Sequence, residues 1–357
     1  MTNKLNMLIS GFLILFLFAA CGTPKNTLAG SSEKVDVQLA CVAFYNLENL
    51  FDTIHNEGVN DYEYTPTGAN KWNAYKYNEK LKKMSYAVSQ IGLDRSPVGA
   101  AILGVSEIEN RGVLEDLVAM PALADRSYEI VHYDGPDRRG VDVALLYNPR
   151  MFVVSNSVSH PYKDENDPEF RTRDQLLVSG YLFGEKIHVI VNHWPSRWGG
   201  EVASRPKRVG AAKVTKSIVD SIQKIEPKAK IIIMGDLNDD PVNESVAVIL
   251  NAKKNPIEVR AGGLYNTLWT THDKGIGSLA YQGQWNLFDQ IIISYDLLNA
   301  PRTNLRFWSA EIFNRSFLTH QEGQDKGTPL RTHSRGVWLN GYSDHFPTLI
   351  YLIKEVN

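Results

Sequence analysis

Short apolar runs rich in β-branched residues recur along the chain and predict β-strands. They occupy residues 37–47, 99–108, 141–147, 176–183, 186–194, 230–237, 288–294 and 348–353. Two longer segments, 78–92 and 205–225, repeat apolar residues every three or four positions and therefore predict helices. This alternation favours an α/β arrangement in which helices flank a sheet core, and it argues against an all-helical bundle.

The N-terminus has a different pattern, which predicts a cleaved signal peptide over residues 1–20. Lys4 precedes a run from Met7 to Ala20 that is almost wholly apolar. The run is shorter than the roughly 18 residues expected of a membrane-spanning helix, which disfavours a permanent transmembrane anchor. The stretch LFLFAAC resembles a bacterial lipobox. That resemblance implies a lipid anchor on Cys21 and a location in the cell envelope, with a plain secretory signal as the alternative.

The rest of the chain predicts one domain. Residues 21–34 are polar and rich in small residues, as expected of a flexible tether. From 35 to 357 no linker rich in Pro, Gly or Ser divides the sequence, and 43% hydrophobic residues suffice for a sizeable core. With Cys21 lipidated, Cys41 is the remaining thiol, which excludes an intramolecular disulfide. No obligate protein partner is implied.

The net charge of −2 bears on the class of partner. Proteins that grip long duplex nucleic acid without sequence preference usually carry a strong basic excess or a basic face. The balance here therefore argues mildly against such a partner.

Polar residues with chemical potential lie at the ends of the predicted strands. They are Asn46, Glu48, Glu107, His193, Asp236, Asn238, Asp289, Asp344 and His345. Such groups are costly in buried strands unless they meet partners or a metal. Strand ends are also where a rigid scaffold presents a site to solvent.

The segment KIIIMGDLNDDP is the most informative of these strand ends. An Asp at position 236 can bind metal or take a proton from water, and an Asn at 238 can hold that water without adding charge. The alternative is an Asx-type turn that caps the next segment. The segment YSDHFPT places Asp344 beside His345, and Pro347 keeps it out of regular structure.

Three residues after two early strands, Asn46, Glu48 and Glu107, complete an oxygen-rich set. Hard cations such as Mg²⁺ favour carboxylate oxygens and keep waters that a phosphate can replace. The spacings typical of zinc sites, CxxC and HExxH, are absent from the sequence. Glu109 is an alternative ligand, although it lies further from the strand end.

The segment IVNHWPSRWGG places His193 at the end of a strong strand. A His can donate a hydrogen bond to a phosphate or protonate a leaving oxygen. Candidate guanidinium partners for phosphate are Arg138, Arg139, Arg171 and Arg173. Three tryptophans have two possible roles, which are stacking on a base or sugar and packing in the core. They are Trp194, Trp198 and Trp285.

Together, the ordered set N-x-E, SE, NH, GDLN, a strand-borne Asp289 and SDH resembles the endonuclease/exonuclease/phosphatase superfamily of DNase I-like enzymes. The resemblance runs from Val37 to Ile353. It implies a four-layer α/β/β/α sandwich and a site that holds one divalent cation, Mg²⁺ or alternatively Mn²⁺ or Ca²⁺. Ser106 stands where the superfamily commonly has Gln, and Glu48 is longer than the residue often found at its position.

The resemblance also implies a role for each residue. Glu107 is the principal metal ligand, with Asn46, Glu48 and Asp344 in the same site. Asp236 and Asn238 orient and activate the attacking water. His345, oriented by Asp289, binds the scissile phosphate, and His193 contacts the phosphate or protonates the leaving oxygen. Arg173 matches a superfamily arginine near the phosphate, and Arg139 and Trp194 are further substrate-binding candidates.

Three functions are compatible with this sequence. The first is a phosphodiesterase or phosphatase that hydrolyses a phosphoester by in-line attack of water. The second is a nuclease acting on DNA or RNA. The third, from a different class, is an envelope lipoprotein that binds without catalysis. Retention of every acidic and His position disfavours the third, because a dead enzyme is expected to lose some of them.

Overall fold

Two large β-sheets form the centre of the protein, whose computed structural model describes residues 36–334 and 336–356. The strands, in chain order, are β1 (Asp36–Leu50), β2 (Ala100–Ile108), β3 (Glu129–His132), β4 (Asp142–Tyr147), β5 (Phe152–His160), β6 (Gln175–Leu182), β7 (Glu185–His193), β8 (Ile231–Asp236), β9 (Ala252–Lys253), β10 (Leu264–Asn266), β11 (Leu279–Tyr281), β12 (Gln284–Asn286), β13 (Asp289–Ser294), β14 (Arg306–Ile312), β15 (His333–Ser334), β16 (Val337–Trp338) and β17 (Thr348–Val356).

The first sheet has the strand order β14-β17-β1-β2-β4-β3, and the second has the order β5-β6-β7-β8-β13-β10-β9. In the first sheet, β1 is parallel to β2 and antiparallel to β17. In the second, β7 is parallel to β8, and β13 runs antiparallel to β8. Two small hairpins, β11-β12 and β15-β16, lie outside these sheets.

Helices lie between the strands along the chain. The α-helices are α1 (Ala74–Gln90), α2 (Arg111–Ala119), α3 (Glu201–Ile225), α4 (Trp269–His272) and α5 (Tyr295–Leu298). Both α1 and α2 begin at an Asn whose side-chain oxygen accepts a backbone N–H of the first turn, and this contact satisfies one otherwise unpaired donor. The described part of the chain also contains single turns of 3₁₀-helix and one π-helical turn, Ser245–Ile249.

The alternation of side chains along the strands builds three apolar layers. In β1, Ala40, Val42 and Phe44 point toward the second sheet, where they pack with residues of β7, β8 and β13. The intervening residues, Cys41 among them, point outward and pack beneath α1 and α2. On the far side, Ile190 and Ile233 of the second sheet pack against α3. Because successive strand residues face opposite sides, one strand supplies two layers, and the predicted α/β/β/α sandwich is confirmed.

All eight predicted strands and both predicted helices are present, with ends shifted by a few residues. Three longer elements were missed: β5, β14 and α2. Strand β5 is the edge strand of its sheet and is largely polar and half-exposed, so it lacks the apolar run on which the strand predictions depended. The predicted signal peptide, 1–20, and tether, 21–34, lie outside the described residues. Among the described residues, no helix has the length and apolar character required to cross a membrane.

Gly235, the residue before Asp236, lies where the backbones of β7 and β8 approach each other closely. A Cβ placed on Gly235 would lie 2.2 Å from the backbone oxygen of Asn192, and the φ angle is +154°. We expect Gly235→Ala to lower the free energy of unfolding by about 2–3 kcal/mol more than Gly184→Ala, because overpacking forces strands apart. Gly184 is the matched control, since it also has positive φ but has open space around its Cβ position. Equal losses in urea unfolding followed by circular dichroism would contradict this account.

Candidate active site

The sheet topology brings the predicted polar residues to one edge of the sandwich. Strands β1 and β2 run in the same direction and end there, as do β7 and β8. Asp236, the last residue of β8, is the register partner of both His193 at the end of β7 and Asp289 at the start of β13. The segment that carries Asp344 and His345 enters the same edge just before β17 begins.

Irregular backbone aims the acidic residues of the first sheet. The register of β1 against β2 breaks after Asn46, and that of β2 against β4 breaks after Ser106. Glu48, Asn49 and Glu107, at these breaks, have φ angles of 47°, 55° and 57°. Left-handed backbone is unfavourable for residues other than glycine and is concentrated at functional sites. Bulges of this kind turn a side chain away from the face that regular pleating would give it.

Asp236 is buried at the centre of the site. Its Oδ2 accepts a hydrogen bond from Asn46 Nδ2 at 3.1 Å, and its Oδ1 accepts the backbone N–H of Asn238 at 3.0 Å. The same Oδ2 lies 3.6 Å from His193 Nε2 and 4.0 Å from His345 Nε2. Burial raises the pKa of Asp236, and the charge of His345 opposes that shift. The carboxyl group is therefore poised to exchange a proton closer to neutral pH than an ordinary Asp.

The turn after β8 is held rigidly by arginines. Arg197 Nε donates to the carbonyl of Asn238 at 2.9 Å, and Arg208 Nε donates to Asp239 Oδ1 at 2.6 Å. Because Asp236 Oδ1 also accepts the N–H of Asn238, the Asx-type turn considered for this segment is present. The turn and the site coexist, since the other oxygen of Asp236 faces the two histidines.

His345 and Asp289 form a buried pair. His345 Nδ1 and Asp289 Oδ2 are 2.6 Å apart, and Ser278 Oγ donates to that same Oδ2. Burial alone lowers the pKa of His345, but the charge of Asp289 and the hydrogen bond to it outweigh burial and raise the pKa well above the ordinary value. The imidazole is thus held protonated with Nε2 facing the site.

His193 is the second histidine, and its environment favours the neutral form. Its side chain is buried, and its Nε2 lies 3.8 Å from Glu107 Oε1. Burial, followed by the charges of Arg173 and Arg139, lowers the pKa of His193 well below the ordinary value. Arg173 Nε also donates to the His193 carbonyl at 3.1 Å.

Glu107 is the acidic residue that faces His193. Its Oε2 accepts the backbone N–H of Asn49 at 3.1 Å, and its Oε1 lies 3.4 Å from a guanidinium nitrogen of Arg139. Arg139 is partly exposed and also contacts Asp137, so it lies at the mouth of the site. Glu109, the alternative ligand, instead accepts hydrogen bonds from Asp52 N and Asn56 Nδ2.

The remaining two acidic residues are joined by an arginine that the sequence analysis missed. Arg331 Nε donates to Glu48 Oε1 at 3.1 Å, and a terminal nitrogen of Arg331 donates to Asp344 Oδ2 at 3.0 Å. Thr332 N donates to the other oxygen of Glu48 at 2.6 Å. Burial raises the pKa of Glu48, and the charge of Asp344 adds to the shift. No strand or helix pattern surrounds Arg331 in the sequence, so nothing local marked it.

Lys80 is a second missed residue, and here a signal existed. It lies on α1, is fully buried, and donates through Nζ to Thr332 Oγ1 and to the carbonyl of Tyr342. Burial lowers its pKa, while the charge of Glu48 opposes the shift. Lys80 continues the buried stripe of α1 that includes Met84 and Val88. Helical periodicity therefore places it on the inner face.

The donor chemistry suits a hard divalent cation. Glu48, Glu107 and Asp344 supply carboxylates beside the amide of Asn46, which is the ligand class that Mg²⁺ and Ca²⁺ prefer. Within the described residues, no hydrogen bond reaches Asp344 Oδ1, whereas both oxygens of Glu48 are taken by Arg331 and Thr332. Both oxygens of Glu107 also have partners, Asn49 N and Arg139, so Asp344 Oδ1 is the carboxylate oxygen of this set that is open to a cation among the described residues.

A second group at this edge also has metal-binding geometry. One ligand atom each from Asp236, Asp289 and His345 lie within 4.8 Å of one another. In this group, however, Asp289 already binds Nδ1 of His345, and imidazolium nitrogens do not ligate metals. The set of oxygen donors, Asn46, Glu48, Glu107 and Asp344, is therefore the better candidate for binding a divalent cation.

Two of the three predicted substrate-binding residues have different surroundings from those expected. The Trp194 side chain is 1% exposed, and its Nε1 donates to Asn192 Oδ1, so stacking of this indole on a substrate is corrected to core packing. Arg173 is also buried, and its guanidinium binds Asp137 and the carbonyls of His193 and Trp194. Its predicted phosphate contact is corrected to a positioning role. Arg139 is partly exposed and stays a candidate, although its guanidinium already contacts Glu107 and Asp137.

Comparison of the whole fold with solved structures gives several matches at low sequence identity. A Bacteroides thetaiotaomicron endonuclease/exonuclease/phosphatase family protein has a TM-score of 0.54 at 14% identity, covering 90% of this chain and 97% of that one. The mannosyl-6-phosphatase Bt3783 of Bacteroides thetaiotaomicron VPI-5482 has a TM-score of 0.52 at 14% identity, with 88% and 99% covered. D. rerio TDP2 complexed with single strand DNA product has a TM-score of 0.52 at 13% identity, with 88% and 98% covered.

At these identities, the matches establish the DNase I-like sandwich fold. A search among curated protein sequences found no match. The sequence itself matches the model of the Endonuclease/Exonuclease/phosphatase family over residues 41–354, nearly all of the part that the structure describes. The match extends from β1 to β17 and includes every strand end that contributes to the site. The chain therefore belongs to the endonuclease/exonuclease/phosphatase family, whose members are phosphoester hydrolases.

Proposed function

We propose that the protein is a divalent-metal-dependent hydrolase that cleaves a phosphoester bond by in-line attack of water. One observation carries the proposal: Glu107, His193, Asp236 and His345 face one another across gaps of 3.6–4.0 Å. These separations are longer than hydrogen bonds but too short to admit a phosphate between the side chains, so the four groups form one cluster. A phosphate group bound against this cluster would meet the histidine donors and the carboxylates together.

The proposed cation is Mg²⁺, with Mn²⁺ or Ca²⁺ as alternatives, and Asn46, Glu48, Glu107 and Asp344 would hold it. When bound, a divalent cation supplies charge neutralisation to the phosphate oxygens and to the leaving oxygen. Support comes from the crowding of these acids, because the charge of Asp344 raises the pKa of the buried Glu48 carboxyl beyond the effect of burial. The charges of Lys80 and Arg331 already offset part of that repulsion, and a divalent cation would offset more of it.

Asp236 is the proposed base. An O–P bond forms between the attacking water and the phosphorus while the O–P bond to the alcohol breaks. The water gives one proton to Asp236, which later returns it to solvent, and the departing alkoxide takes a proton from solvent. Asn238 positions the turn that fixes Asp236, since the Asn238 N–H is bound by Oδ1 of that carboxylate.

The two histidines are proposed to bind the phosphate. His345, held protonated by Asp289, offers Nε2–H to the oxygen on which charge develops. His193 offers a neutral ring N–H to another oxygen, because its low pKa leaves it without an acidic proton. Of the two roles considered for His193, phosphate contact is therefore the better supported. Donors fixed in place before the reaction need no reorganisation, which is a main source of catalysis.

Chelation and substitution of a ligand test the proposed metal. We expect hydrolysis of 4-nitrophenyl phosphate or bis(4-nitrophenyl) phosphate to stop after exhaustive chelation and to return with Mg²⁺. Glu107→Gln keeps the side-chain shape and removes one ligand charge. It should raise the Mg²⁺ concentration required for half-maximal rate by at least about tenfold, the lower end of losses seen when metal sites are perturbed.

Glu109→Gln is the matched control for this titration. Its carboxylate binds the 52–56 segment and does not face the histidines, so the metal titration should be unchanged. A shift in Glu109→Gln with none in Glu107→Gln would make Glu109 the ligand. Undiminished turnover after chelation would reject the metal-dependent mechanism.

A double-mutant cycle tests the His345–Asp289 pair. Asp289→Asn and His345→Ala should each lower turnover by about 10² or more, the loss typical of one preorganised donor. The double variant should lose far less than the product of the two effects, because the side chains act as a unit. The measurement is a double-mutant cycle on kcat, with circular dichroism and thermal unfolding to show that all variants are folded.

A second buried pair provides the control for this cycle. His132 and Asp142, 3.2 Å apart, also join a buried imidazole to a buried carboxylate, on β3 and β4. Asp142→Asn should reduce stability without a comparable loss of kcat. Multiplicative losses for Asp289 and His345 in folded protein would show that the two side chains do not act as a pair.

A further inference from the structure

A large open cavity adjoins the proposed active site. It has a volume of about 680 Å³ and lies between the β11-β12 hairpin and the segment 320–334. Arg331 and Asp344, which belong to the proposed site, are among its lining residues. The volume is within the range of roughly 300–1,000 Å³ that is typical of pockets for small ligands.

The cavity begins at the catalytic edge of the sheets. Asp344 lines it and places Oδ1 only 3.9 Å from Nε2 of His345. A phosphate bound to His345 would therefore lie beside the part of the cavity that Asp344 lines. Any group esterified to that phosphate and directed away from the two sheets would enter it. The cavity is thus placed to receive the alcohol portion of the substrate.

The side chains that line the cavity are mainly uncharged and polar. Gln282 lies on the hairpin wall, and Gln324 and Thr328 lie on the opposite wall beside Asp325. Amides and hydroxyls both donate and accept hydrogen bonds, and a carboxylate accepts several. This mixture matches an array of hydroxyl groups, each of which is donor and acceptor at once. A lining for an apolar lipid chain would instead be hydrophobic.

The charge on the cavity wall disfavours a nucleic acid strand. Among the lining residues that the structure describes, Arg331 carries the one fixed positive charge, and it is bound to Glu48 and Asp344. Grooves for single strands combine several cations along the backbone with stacking aromatic residues. Here one aromatic ring, Tyr281, is available among the described lining residues, and it is 66% exposed. A single exposed ring facing polar groups suits the apolar face of a sugar ring.

We propose that this cavity binds the carbohydrate portion of a phosphorylated sugar, so that the substrate of the site is a sugar phosphate ester. The proposal rests on the proposed phosphoester hydrolysis and adds to it the class of alcohol that leaves. Gln282 and Gln324 bind sugar hydroxyls from opposite walls, and Tyr281 packs against the ring. Specificity then comes from hydrogen bonds that an ester without hydroxyls cannot make.

The test compares two substrates in the same variants. Gln282→Ala and Gln324→Ala should each lower kcat/KM for glucose 6-phosphate, used as the probe hexose phosphate, by about three- to tenfold, the value of one hydrogen bond. For 4-nitrophenyl phosphate, whose nitrophenyl group enters the same cavity but has no sugar hydroxyls, the loss of kcat/KM should be much smaller in both. Gln223→Ala is the matched control, since Gln223 lies on α3 and contacts Gly262 outside the cavity. It should leave both substrates unaffected.

The outcomes distinguish failure of the cavity proposal from failure of the proposed phosphoester hydrolysis. If the wild type hydrolyses 4-nitrophenyl phosphate but not a set of hexose 6-phosphates, the cavity proposal is overturned and the proposed function stands. Equal losses for both substrates in the Gln variants also overturn it. Cleavage of a single-stranded oligonucleotide that is weakened by the same variants assigns the cavity to a nucleic acid instead. If neither these monoesters nor bis(4-nitrophenyl) phosphate is hydrolysed with any divalent cation, the proposed function fails and this inference fails with it.

Discussion

Repulsion among buried carboxylates is the constraint on which the site depends. The topology ends four strands at one edge and delivers Glu107, Asp236 and Asp289 there, with Glu48 and Asp344 beside them. Charges taken out of water are costly unless each meets an opposite charge or a hydrogen-bond donor. In this protein the compensating groups are cationic side chains from outside the two sheets. Arg331 and His345 are examples, and both belong to segments that connect the strands.

Each compensating cation also fixes a segment of backbone. Arg331 joins Glu48 to Asp344 and so ties its own segment to β1 and to the approach to β17. Lys80 binds Thr332 and the Tyr342 carbonyl, which attaches the same region to α1. His345 neutralises Asp289 and at the same time presents Nε2 to the site. Electrostatic balance and geometric placement are therefore provided by the same contacts.

The sheet core could be predicted from the sequence because one apolar pattern decides both strand type and burial. The residues at the strand ends followed, since an acid or His next to a buried strand needs a special reason to be there. What the pattern could not show is which way a side chain turns when the strand ends. Trp194 follows β7 directly, yet its indole is buried, and Arg173 points at backbone carbonyls. Arg331 is part of the site through contacts with residues 283 and 13 positions away, which no local pattern encodes.

The sandwich and the loops contribute to function in different ways. The matches to solved structures extend over the whole sandwich, so the scaffold that presents the strand ends is a shared fold. The cavity is bordered by a hairpin and a long segment that lie outside the two large sheets. Because fold does not fix function, we propose that the identity of the substrate depends on these loops and not on the sandwich.

We propose that the crowded acids at this edge of the sheets form a site for one divalent cation. Isothermal titration calorimetry of the chelated protein with Mg²⁺ and Mn²⁺ tests it without any assumption about the substrate. The account predicts one binding site per chain, weakened at least about tenfold by Glu107→Gln and unaffected by Glu109→Gln. Absence of binding by either ion, or binding unchanged in Glu107→Gln, would contradict it.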